Sequence, residues 1–103
     1  MPVELSRDPG GKPITNVAHR VTRGNYADID KNDFEWGYVG AGPNELAMNI
    51  LYTRGVSEQE SLRLSTLFAH DILSGIPQEG ATIHEQVIDD WIRTQKSMPE
   101  QSA

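Results

Sequence analysis

Gly40-Ala41-Gly42-Pro43-Asn44 places two glycines and a proline where a helix begins. Free backbone N–H groups and the helix dipole at such a start can hold an anion. On that reading Gly40, Gly42 and Asn44 form an anion-binding turn for a phosphate or a nucleotide. Two neighbours weaken it. Pro43 donates no N–H, and Glu45 sets a carboxylate in the expected first turn, where it satisfies the dipole and repels phosphate. The segment also lacks the Gly-Lys-Ser/Thr of a P-loop and the spacing of a dinucleotide fingerprint, so a strand-to-helix joint is the favoured reading.

A second group is acidic. Residues 1–55 hold seven acids and six bases, whereas residues 56–103 hold eight acids and three bases, so most of the net charge of −6 belongs to the C-terminal half. Glu79, Glu85, Asp89 and Asp90 are expected to form an acidic surface that could mimic phosphates and occupy a basic cleft on a partner. Glu35, between Phe34 and Trp36, is expected to face outward and pair with Arg20 or Arg23.

Other constellations fail on spacing. Asp28-Ile29-Asp30-Lys31-Asn32 starts like a calcium loop, but its sixth position is Asp33 rather than glycine and its twelfth is Val39 rather than glutamate. His19, His70 and His84 are too far apart to share a helical metal-binding face, so no metal or cofactor is expected. Without cysteine there is no thiolate chemistry and no disulfide, and a reducing, cytoplasmic setting is the simple expectation. No nucleophile–base–acid signature is present, and the chain reads as non-enzymatic.

The elements that must position these residues follow from periodicity. Pro2, Asp8-Pro9-Gly10-Gly11 and Pro13 mark residues 1–13 as an irregular N-terminal arm. Thr15, Val17, His19 and Val21 alternate as one face of a strand over Ile14–Val21, and Tyr26–Ile29 returns as its hairpin partner. Phe34, Trp36 and Tyr38 form a third strand whose aromatic face needs cover. A helix over Pro43–Arg54 then presents Leu46, Ala47, Ile50 and Leu51, with Gly55 at its stop. Ser57 to Glu60 has capping-box spacing and opens a second helix with Leu64, Leu67, Phe68 and Ile72 inward. Thr82 to Glu85 repeats that spacing before a third helix that buries Ile83, Val87, Ile88, Trp91 and Ile92. The sum is an α+β fold: a small three-stranded antiparallel sheet followed by three helices packed on one face, in one domain over 14–96, with a flexible tail over 97–103.

Phe34, Glu35, Trp36, Gly37, Tyr38, Gly40, Gly42 and Pro43 also match a box. It resembles the Phe-Glu-Trp-Gly-Tyr-Gly-Gly-Ser-Gly-Pro hallmark of an uncharacterised family of short bacterial, archaeal and phage proteins. Val39 and Ala41 depart from it, and the likeness extends through Leu73–Pro77 and Ile88–Ile92 to cover roughly residues 30–96. The resemblance implies a mobile-element context and carries no activity or site residues. Together with the small size and the acidic half, the expected function is an interaction protein. Its sharp form is a phage or mobile-element inhibitor, an anti-CRISPR or other anti-defence protein. The expected partner is a host protein or nucleoprotein complex with a basic surface, with no direct contact to nucleic acid or membrane.

Overall fold

The computed structural model describes residues 1–31 and 33–97. Strands β1 (Val3–Arg7), β2 (Pro13–Thr15) and β3 (Ala81–Ile83) form an antiparallel sheet in the order β2-β1-β3. Three helices complete the α+β fold: α1 (Ala41–Thr53), α2 (Glu58–Asp71) and α3 (Glu85–Ser97). The fold class is therefore as expected, although the strands come from other segments and β3 falls between α2 and α3 rather than before the helices.

The supposed irregular arm supplies the central strand. Val3 and Leu5 point into the core while Glu4 and Ser6 face out, a period of two that the surrounding turn formers concealed. Those turn formers make the hairpin loop instead. Asp8 accepts the N–H groups of Gly10 and Lys12 on Oδ1, both at 2.9 Å, and the Gly11 N–H on its carbonyl at 2.8 Å. The register pairs Leu5 with Thr15 on one side and Val3 with Ile83 on the other.

The three strands expected over Ile14–Val21, Tyr26–Ile29 and Phe34–Tyr38 are corrected accordingly. Only Pro13–Thr15 joins the ladder, yet the alternation beyond it holds: Val17 and His19 are half-buried and Val21 is buried, while Asn16, Ala18 and Arg20 are exposed. Tyr26–Lys31 is a 3-10 turn, begun by Asn25, whose side chain accepts the Ala27 N–H and whose carbonyl accepts that of Asp28. Phe34–Tyr38 is irregular because Gly37 adopts φ +89°, outside strand geometry, and its N–H goes to the Leu73 carbonyl at 2.9 Å.

α1 is the centre of the molecule, with Pro43 and every residue from Glu45 to Leu51 buried. Leu46, Ile50 and Leu51 join Val3, Leu5, Ile83, Trp36, Leu64, Phe68 and Ile88 in one core, and each such aliphatic contributes roughly 1.5–3 kcal/mol on burial. Ser57 caps α2 as expected, accepting the Glu60 N–H. The inward face of α2 includes Ser61 and Ser65, whose hydroxyls bond the Val56 and Leu62 carbonyls; this turns Leu67 outward, against expectation. The second capping box is corrected. Thr82 lies in β3 and donates to Glu4, and α3 starts at Glu85 with Val87 exposed rather than buried. Ile88 and Ile92 are buried, and Trp91 meets Phe68 edge-on at 5.0 Å. The tail expected over 97–103 falls outside the described residues apart from Ser97, which ends α3.

Candidate functional site

The box residues are held by a lock that begins on β1. Arg7 donates from Nη2 to Glu35 Oε1 at 2.8 Å and from Nη1 to Oε2 at 3.2 Å, a two-bond pair that is half-buried. Its guanidinium lies 4.4 Å from the centre of the Trp36 ring, and further N–H groups reach the carbonyls of Gly11 and Gln78. The hydrogen bond to Glu35, opposed by burial, moves the Arg7 pKa up and holds it in its charged form. Trp36 is fully buried, and its indole N–H is shared between the Pro77 and Gln78 carbonyls at 3.0 and 3.2 Å. Gly42 then packs so closely that a Cβ there would stand 2.8 Å from Glu35 Cβ. The partner expected for Glu35, Arg20 or Arg23, is thus replaced by Arg7, which the arm had hidden.

Beside this lock opens a cleft of roughly 480 Å³, within the size range of ligand pockets. Asp33, Glu35 and Glu45 line it against the single guanidinium of Arg23, with Tyr38 and Gly42 completing the wall. Tyr38 and Val39, by contrast with Phe34–Gly37 before them, stand 45% and 55% exposed.

The opposite wall is a strap over residues 16–25 whose backbone is bonded by side chains of α1 instead of a sheet. Glu45 and Asn49 are one helical turn apart and share a face. Asn49 Oδ1 accepts the N–H groups of Arg20 (2.7 Å) and Val21 (3.0 Å), and its amide donates to the Val21 carbonyl at 2.8 Å. Glu45 accepts the Arg23 N–H at 3.1 Å and meets His19 Nε2 at 2.6 Å. Burial pushes the Glu45 carboxyl up, but hydrogen bonds from Thr22, His19 and the Arg23 N–H outweigh it and hold it below the ordinary value. The His19 ring in turn lies against Phe34, 4.4 Å between centres. Glu45 therefore serves the strap, and no acid occupies the first turn of α1.

The expected anion turn is at the cleft, since Gly40 caps α1, its carbonyl takes the Asn44 N–H at 3.0 Å, and Gly42 lines the wall. Asp33, Glu35 and Glu45 share that cleft, which disfavours an anion. The four acidic residues expected to act together divide. Glu85 pairs with the amino group of Met1 and with Arg54, and Asp89 takes two bonds from Arg54, Nε at 3.0 Å and Nη2 at 2.7 Å. Their pKa values fall, for Glu85 chiefly through the amino terminus and for Asp89 chiefly through Arg54. Asp90 instead meets Gln86 and Arg93 along α3, and Glu79 is exposed before β3. Among the described residues no group of three or more His, Asp or Glu side chains could hold a metal ion, and no helix is long and apolar enough to cross a membrane. Sequence reasoning missed Arg7, Asp33 and the Glu45–Asn49 pair as site builders; the i, i+4 spacing of two polar residues within an apolar helix was the available signal for the last.

Fold and site together define a small α+β protein built around an arginine-locked aromatic and glycine box. The chain belongs to the family of unknown function DUF6166, whose model matches residues 6–94. No curated protein and no solved structure matches it.

Proposed function

We propose that this chain is a non-enzymatic interaction protein of the cytoplasm that grips a partner with a basic surface at the box cleft. The carrying observation is the exposure of Tyr38 and Val39 on a segment whose neighbours are locked. Burial accounts for Trp36, the Arg7 pair for Glu35, and close packing for Gly42, whereas Tyr38, its ring against Gly40 at the cleft, and its neighbour Val39 keep large apolar surfaces open to solvent. Tyrosine and arginine are the residue types that concentrate binding energy at interfaces, and Arg23 faces the same cleft.

The acidic half has a supporting role in this reading. Arg54 offsets Glu85 and Asp89 and Arg93 offsets Asp90, so Glu79 and the net negative charge of the C-terminal half supply long-range attraction to a basic partner while the rim makes the contact. A partner within a host nucleic-acid-handling or defence complex is the sharp form, supported by the small size and the net charge of −6.

Capture from native lysate with the tagged chain, read by mass spectrometry, tests the proposal. Tyr38→Ala combined with Val39→Asp should lose the captured protein, and raised salt should weaken the wild-type complex. Unchanged capture by the rim variant would overturn the assignment of the surface. Binding of a nucleotide or sugar phosphate at Gly40–Asn44 is the competing outcome, and a rise in melting temperature with those ligands would reveal it.

A further inference from the structure

Two side chains of α1 hold the strap, and they differ in kind. Asn49 is fully buried and carries no titratable group; it fixes Arg20 and Val21, and Val21 is itself buried in the core. Glu45 is an ionisable carboxylate that both holds the Arg23 N–H and lines the cleft, where Arg23 and Gly24 form the facing wall. We propose that Arg23–Asn25 is a flap over the box cleft, latched by the Glu45 carboxylate and hinged where Asn49 holds Val21.

The latch works through acceptor capacity. An ionised carboxylate accepts from the Arg23 N–H, His19 and Thr22 together, whereas a protonated or neutralised one keeps fewer acceptor sites and loses the charge that strengthens those bonds. A cationic side chain entering the cleft would compete for the same oxygens and free the flap, leaving the Asn49 bonds intact. Among the described residues, the charged and titratable groups facing Glu45 are His19 and Arg23 on the strap, with Asp33, Tyr38 and the Arg7-bound Glu35 around the cleft. Arg23, Gly24 and Asn25 are all exposed, so apolar burial does not hold this end down.

The flap's purpose rests on the cleft being the binding surface, but the latch is tested without a partner. Amide hydrogen exchange, read residue by residue by NMR on the whole chain at neutral pH, compares wild type with Glu45→Ala. The Arg23 amide should exchange about tenfold faster or more, the scale of one lost charge-assisted hydrogen bond. Arg20 and Val21 should stay within about threefold, since their bonds to Asn49 are unaltered. Should Glu45→Ala fail to fold, Glu45→Gln and an acid titration of the wild-type Arg23 amide give the same comparison. Equal acceleration of Arg20, Val21 and Arg23, or no change at Arg23, would overturn the latch. Loss of capture by the Tyr38 and Val39 variant is independent of that result.

Discussion

Arg7 Nη2 stands 2.8 Å from Glu35 Oε1, joining the central strand to the box from a position 28 residues earlier in the chain. The pair is half-buried on both sides, so removing one partner leaves the other poorly solvated.

Arg7→Ala should therefore lower the unfolding free energy by about 2–4 kcal/mol, combining the lost ion pair with the lost contact to Trp36. Arg7→Lys should recover only part of this, because an ammonium cannot bridge both carboxylate oxygens. Urea unfolding of both variants checks the ranking. A double-mutant cycle with Glu35→Gln should show coupling, and simple additivity would deny the lock.

Asn49→Ala should be among the more damaging polar substitutions. It strands the Arg20 and Val21 N–H groups and the Val21 carbonyl, for a cost of about 2–4 kcal/mol. Thermal unfolding by circular dichroism would register it as a large fall in Tm.

Acid should weaken the fold partly through Glu45. Its carboxyl is held below the ordinary value of 4.5, so its contribution is present above that pH and is lost as pH falls through the lowered folded value. Glu45→Gln should flatten the acid side of the stability profile. Parallel wild-type and variant urea midpoints across that range would show that the carboxylate contributes nothing there.

Val39→Asp should change stability by less than about 0.5 kcal/mol, as expected of an exposed position, and Tyr38→Ala, which loses the packing of its ring on Gly40 and Gly42, by no more than about 1 kcal/mol. A larger loss in urea unfolding would mean that the rim is structural and would remove the argument that places recognition there.

Much of the helical half was legible because its signals are local. Ser57 caps α2 by reaching three residues ahead, and Leu46, Ile50 and Leu51 recur at helical spacing on α1. The sheet was hidden because its partners are distant. Val3 alternates with Leu5, but that pattern gains meaning only once Ile83 lies beside Val3. The strap shows a different failure. Val17, His19 and Val21 have the burial alternation of a strand, while the backbone groups of Arg20, Val21 and Arg23 bond Asn49 and Glu45, an arrangement periodicity cannot distinguish from a ladder. At the site, glycine positions were readable and their causes were not. Gly42 reads in the sequence as part of a strand-to-helix joint, whereas in the fold it makes room for Glu35.

The pairing of β1 with β3 has a kinetic consequence. The middle strand of the sheet leaves the ribosome well before its partner at Ala81–Ile83, with α1 and α2 between them. Until then Val3 and Leu5 have β2 alone beside them, and a lone two-stranded hairpin is at best marginally stable in water. Closure across so long a stretch of chain is slow relative to helix formation, so α1 and α2 can pair before the sheet is complete. The nascent protein should thus pass through a helical stage in which the arginine of β1 has not yet been fixed against the box.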